Sequence, residues 1–172
     1  MNTRFAAPLA LLFVSAAAHA ERRWSVEPGQ TLVAVDAPQF SVFSHGLSGT
    51  LEERDDGAVR LVLRVPLDSL TTGNAGQDQG VPRQGEMVLD LTGRPSGDES
   101  IDFEGTISVR EVAQPVRIRL GVVRSDAVIY GHAVLTVHLR ELGVKVPVAG
   151  RDLAHIEVDT ALRRDRAVAS QG

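Results

Sequence analysis

Few side chains in this sequence could do acid–base, nucleophilic or metal chemistry, and their spacing decides how much of it is available. There is no cysteine, which removes thiolate nucleophiles, thiolate metal sites and any disulfide framework. Of the five histidines, His19 falls in an apolar leader. On a β-strand, metal ligands belong at i and i+2, on one face. His132 and His138 are on the order of 20 Å apart along an extended chain, so they cannot share an ion. His155 alternates with Glu157 and Asp159, opposite Ala154, Ile156 and Val158, which places it on a solvated strand face. The expectation is that His132, His138 and His155 lie outside the fold, with no metal and no cofactor. Ser44 and His45 are adjacent, and with an acid such as Asp78 they would make a nucleophile–base–acid set for a hydrolase or isomerase if all three converged. The other reading of His45, which shares parity with Phe43 and Leu47, is a hydrogen-bonded edge or core histidine. The chain carries no G-x-S-x-G, H-E-x-x-H, Walker or dinucleotide motif. The sequence therefore points to a protein that is not an enzyme.

The elements that would position these groups read as strands. In 101–123, Ile101, Phe103, Ile107 and Val109 alternate with Asp102, Glu104, Thr106 and Ser108. After Arg110 to Gln114 the alternation resumes with Val116, Ile118, Leu120 and Val122 against Arg117 and Arg119, the pattern of one long β-hairpin with a half-buried face. Further strands are expected over 24–27, 31–36, 40–44, 47–53, 58–65, 87–92, 127–140 with a bend near Gly131, 144–148 and 153–161. Turn signals such as Pro28-Gly29, Asp55-Asp56-Gly57, Ser96-Gly97-Asp98 and Ser125-Asp126 separate them. No window has a helical period. Many short amphipathic strands mean an antiparallel sandwich or barrel. The exception is 67–85, LDSLTTGNAGQDQGVPRQG, long for a hairpin loop and rich in Gly, Asn and Gln. It reads either as a mobile surface loop or as a flap over a cavity mouth, with Thr72, Gly73, Asn74 and Asp78 as flap residues.

Residues 1–20 have one Arg, an apolar run and small residues ending Ala18-His19-Ala20, the form of a secretory signal cleaved after Ala20. A periplasmic or secreted protein without a stable membrane span is expected, with one domain over 21–162 and a disordered tail over 163–172. Removing Arg4 leaves 17 basic against 22 acidic residues, a net charge of −5. A chain this acidic lacks the concentrated positive face that nucleic acid requires.

Several stretches, in order along the mature chain, resemble the YceI-like family. Trp24-Ser-Val-Glu-Pro-Gly-Gln-Thr-Leu-Val-Ala-Val35 is similar to that family's opening pattern of aromatic, x, Ile, Asp, Pro, x, His, Ser, x, Val, x, Phe. Residues 40–50 resemble the following strand with its His-x-x-x-x-Gly stretch, and Leu67-Asp-Ser-Leu-Thr-Thr-Gly-Asn74 with Asp78 resembles the Ser-Leu-x-Thr-Gly-Asn…Arg-Asp segment. Residues 105–120 look like the Gly-x-Leu-Thr-Ile-x-Gly-Val-Thr-x-Pro-Val-x-Leu hairpin, and Glu141-Leu-Gly-Val144 is similar to the late Asp-Phe-Gly-Ile turn. There are departures. Gln30-Thr31 stands for His-Ser, Gln77 for the Arg before Asp78, and Glu111 for the turn Gly. The helical segment expected after Asp78 is missing, since the chain runs through residues 81–85 straight to Met87.

The resemblance implies an all-β, antiparallel, closed or nearly closed lipocalin-like barrel, with the helical segment reduced or absent. It implies an apolar chain-like ligand, a polyisoprenoid lipid or quinone precursor, held inside. A barrel of about eight strands is either filled by side chains or holds one small ligand. The inner positions expected to line it are Phe43, Phe103, Val116, Ile118, Leu120, Ala133, Leu135 and Val137. Small side chains and few aromatics suit a flexible chain better than a flat ring. The alternative is a filled, stress-associated barrel that meets a protein partner through an outer face bearing His132, Thr136 and His138. A homodimer is compatible with either.

Overall fold

The computed structural model describes residues 22–165 apart from 39, 82 and 146–151. Alternation of buried and exposed residues runs along almost every segment, and each becomes a strand: β1 (Arg22–Ala37), β2 (Phe40–Ser44), β3 (Ser48–Glu53), β4 (Val59–Pro66), β5 (Glu86–Pro95), β6 (Ser100–Val109), β7 (Val112–Arg124), β8 (Val128–His138) and β9 (Leu153–Arg164). All pair antiparallel in the order β2-β1-β3-β4-β5-β6-β7-β8-β9, and β1 pairs β9 to close the ring. On its other side β1 meets β3 through residues 22–25 and β2 through 33–37, so β2 and β3 share one stave of an eight-stave barrel. The described residues contain no α-helix, only two 3₁₀ turns, Leu67–Ser69 and Asp78–Gly80. No described helix is long and apolar enough to cross a membrane.

The core is the inner face of this wall. Leu51, Leu61, Leu89, Leu91, Ile101, Phe103, Ile107, Leu120, Ile129, Ile156 and Leu162 are almost wholly buried. Each such side chain contributes about 1.5–3 kcal/mol by leaving water. The outer face is laced by cross-strand pairs such as Arg60 with Asp90 at 3.0 Å and Arg117 with Glu104 at 3.1 Å. The turns after β3, β5 and β7 and both described chain ends lie at one end of the barrel. There Trp24 is buried, with the Arg164 guanidinium 5.9 Å from its ring centre. Residues 67–81 and 139–145, from the longer connections, lie at the other, where Leu67, Leu70, Leu139 and Leu142 are buried.

Four expectations about elements are corrected. The two strands expected over 24–27 and 31–36 are one, because Pro28-Gly29 makes a bulge and not a turn. Val26 pairs Leu162 and Thr31 pairs Thr160, so residues 27–30 stand opposite Ala161 alone, with Gly29 at φ 80°. The bend expected near Gly131 does not occur, since β8 keeps unbroken register with β9 from Val128 to His138. Gly131 instead makes room: a Cβ there would stand 3.2 Å from Leu120 Cδ1 and 3.3 Å from Thr160 Cγ2. The tail does not begin at 163, as Arg163 and Arg164 finish β9 and the Asp165 amide donates to the Arg23 carbonyl at 2.9 Å. Val144 and Lys145 are outside any strand, and the remainder of the strand expected over 144–148 lies outside the described residues, as do the leader and 166–172.

Candidate functional site

Seven of the eight inner residues expected to line a ligand come together on three neighbouring strands. Phe103 on β6 lies opposite Ile118 on β7, and both point inward. Ile118 and Leu120 on β7 and Ala133, Leu135 and Val137 on β8 are buried, while Val116 is half-buried. These strands flank an interruption in the wall. The β7–β8 ladder covers only Gly121↔His132 through Arg124↔Ile129. Beyond it, residues 112–120 of β7 and 133–138 of β8 run without a ladder between them, although β7 is fully paired to β6 and β8 to β9. Apart from the outer edge of β2, which meets only Thr71 of the 67–85 loop, the other staves are laddered to their neighbours. This seam is where the barrel is nearly, and not wholly, closed by hydrogen bonds.

The β7 side of the seam carries features of a protected edge, Pro115 and outward Arg117 and Arg119 among apolar residues. Its inner side is polar at one point. Gln114 shares the parity of Val116 and Ile118, and its Oε1 is buried with no hydrogen-bond partner. A shallow hollow of about 370 Å³ lies along the β6–β7 pair, lined by Glu104, Gly105, Pro115, Val116 and Arg117. The sequence reading did not single out Gln114. Its position two residues before Val116 was the available signal.

Phe43, the eighth residue, is not an inner one. It is 37% exposed, while Val42 and Ser44 face inward at 5% and 1%. The cause is register: Val42 pairs Val35, and Ser44 pairs Val33, an inward position of β1. Parity with Leu47 misleads because the chain leaves the ladder at His45-Gly46 and changes phase before β3. Phe43 serves the 67–85 loop instead. Its amide donates to the Thr71 carbonyl at 2.8 Å and its carbonyl accepts from the Thr71 amide at 2.9 Å.

That loop is tied down. The Asp78 carboxylate accepts from Thr71 Oγ1 at 2.7 Å, from the Thr72 amide at 2.6 Å and from Thr72 Oγ1 at 2.7 Å. These donors, the Thr72 amide foremost, hold its pKa down at about 2. The Asn74 carbonyl accepts the amides of Gln77 and Asp78, and Gly73 supplies the positive φ of 78° that the turn needs. Thr72, Gly73, Asn74 and Asp78 thus form a hydrogen-bonded knot.

Ser44, His45 and Asp78 do not form a catalytic set. Ser69 Oγ donates to the Pro66 carbonyl at 2.6 Å, which leaves Ser44 as donor in its 2.6 Å pair with Ser69. His45 Nδ1 donates to the Thr31 carbonyl at 2.6 Å, and Thr31 Oγ1 donates back to the His45 carbonyl at 3.2 Å. Asp78 is spent on the threonines. His45 is a hydrogen-bonded edge residue that pins β1 to the end of β2. His132, His138 and His155 are all exposed on the outer wall, as expected.

Two solved structures share this architecture. The crystal structure of Burkholderia cenocepacia BcnA superposes with a TM-score of 0.64 at 12% identity, over 80% of this chain and 98% of that one. The crystal structure of a mutant CJ YceI protein made for nanotechnology applications superposes with a TM-score of 0.60 at 8% identity, over 77% of this chain and 85% of that one. The chain has the YceI-like fold. No family model and no curated protein matches its sequence. At 8–12% identity what is shared is strand pattern and register, which specify the barrel without fixing most side chains.

Proposed function

We propose that this YceI-like barrel is an exported, non-enzymatic binding protein for one apolar chain-like ligand, of the polyisoprenoid lipid or quinone-precursor class, working as a monomer or homodimer. The observation that carries the reading is the seam. An apolar inner face borders a length of wall with no ladder to break, so β7 and β8 can part there without the loss of about 0.5–1.5 kcal/mol per hydrogen bond that parting a laddered pair of strands would entail. Val116, Ile118, Leu120, Ala133, Leu135 and Val137 offer a ligand chain aliphatic contact on both sides of the opening, and Phe103 lies behind them. Gln114 Oε1 gives a ligand hydroxyl an acceptor at the same place. The hydrogen-bonding arrangement at Ser44, His45 and Asp78 supports a non-enzymatic role.

The test is titration of the intact chain with a fluorescent isoprenoid analogue. Saturable one-to-one binding, competed by unlabelled polyprenol and weakened in Leu135→Glu, is expected. No saturable binding at micromolar protein, with the fold intact by circular dichroism, would remove this reading. The second reading, a filled barrel that meets a protein partner through its outer face, has the closely packed interior in its favour. It requires binding partners to be lost on changing His132, Thr136 or His138 and not on changing Leu135.

A further inference from the structure

We propose that His132, Glu157 and Asp159 form a site for one divalent transition-metal ion on the outer wall, independent of the barrel interior. The three residues are brought together across strands. Glu157 and Asp159 alternate along one face of β9. The β8–β9 register sets His132 opposite Asp159 and Val134 opposite Glu157, which places Glu157 diagonally beside the imidazole. His132 Nδ1 is 2.8 Å from Asp159 Oδ1 and 3.9 Å from Glu157 Oε1, and donor atoms of all three lie within 4.8 Å of one another. Two donors bound at about 2.0–2.2 Å to a tetrahedral ion stand about 3.3–3.6 Å apart. The observed separations bracket that spacing, so small rotamer changes close the site.

Charge points the same way. The other carboxylates on this wall typically face a guanidinium, as Asp90 faces Arg60, Asp102 faces Arg119 and Glu86 faces Arg64. Among the described residues, the only basic group within 4 Å of the Glu157 or Asp159 carboxylate is the His132 imidazole. Two carboxylates and a neutral imidazole leave a charge of about −2 that a dication matches. One nitrogen and two oxygen donors suit zinc and its neighbours better than calcium, which takes more oxygens. The site is also accessible. The residue opposite His132 on β7 is Gly121, which puts no side chain over the ring, and an open hollow of about 890 Å³ lies on that side, bordered by Tyr130, Gln30 and Glu99. Remaining coordination positions face this hollow and take water.

The experiment is zinc titration of the intact chain, freed of metal by chelator, against a chromophoric competitor at pH 7.5, with native mass spectrometry for stoichiometry. One zinc per chain is expected. Affinity should fall about tenfold or more in His132→Ala and in Asp159→Asn, and hold in His138→Ala and His155→Ala. His132, His138 and His155 are exposed and Asp159 is half-buried on the outer wall, so melting temperatures should be near wild type and report on folding separately. Absence of stoichiometric zinc from the wild type, or His132→Ala binding as tightly as wild type, overturns the proposal.

Discussion

Replacing Ala133 by Trp separates an interior that can open from one that cannot. Ala133 is 2% exposed and pairs with Val158 on β9, but its other flank is the unladdered seam. Val158 on β9 is the comparison: also 2% exposed, but laddered on both sides, to Ala133 of β8 and to Val33 of β1. Forcing an indole into a closed, packed wall costs about 1–3 kcal/mol or more. In a domain of this size each kcal/mol lowers the melting temperature by roughly 2–8 °C. Val158→Trp should therefore melt several degrees early. At the seam β7 can move without breaking ladder hydrogen bonds, so Ala133→Trp should lose less than about 1 kcal/mol while the indole occupies the space a ligand chain would take. The assay is thermal unfolding of both lipid-free variants together with titration of the fluorescent isoprenoid analogue. The expected result is near-wild-type melting and lost binding for Ala133→Trp. Equal, large destabilisation by both substitutions, with no binding by wild type, would refute the reasoning and leave a filled barrel.

Three further outcomes follow from the same geometry. Phe103→Ala removes the largest of the fully buried side chains and should cost about 3–5 kcal/mol in guanidinium unfolding, with a smaller loss contradicting its place at the centre of the core. Gly105→Ala would put a Cβ against the Asp90 carbonyl oxygen and 2.9 Å from Leu91 Cα, so spreading β5 from β6 should lower stability by about 1–3 kcal/mol, and an unchanged melting curve would show the contact to be relaxed. Asp78 has its pKa lowered from 3.8 to about 2 in the fold, so its stabilisation of the 71–78 knot is present above the ordinary value and lost as pH falls from about 4 through 2. Hydrogen exchange of the Thr72 amide should rise across that window in wild type and be high and pH-independent in Asp78→Asn, after correction for intrinsic rates.

Register accounts for what could and could not be read from the sequence. The long hairpin was legible because Ile101 to Val109 and Val116 to Val122 alternate without interruption, and a period of two leaves one choice of inner face. The inner placement of Ala133, Leu135 and Val137 followed for the same reason. Phe43 was not legible, because phase carries across a segment only while the chain stays extended, and His45-Gly46 breaks it. The bulge at 27–30 was hidden by Pro28-Gly29, a pair that serves a turn and a bulge equally. The seam and the His132, Glu157 and Asp159 cluster depend on which residues stand opposite one another on different strands. A search for ligands along a single strand passes over such a set, although the β8–β9 pairing that makes it is a local one. The knot around Asp78 depends on side chains meeting within an irregular loop, where composition gives no geometry.

The most direct measurement is the native mass of the chain purified from its source cells without detergent exchange, followed by organic extraction and mass analysis of the extract. A stoichiometric adduct that leaves on extraction and proves to be an apolar chain, and that Ala133→Trp fails to carry, is the expected result. A bare chain mass in wild type, from material that also fails to take up the isoprenoid analogue, would contradict the binding function.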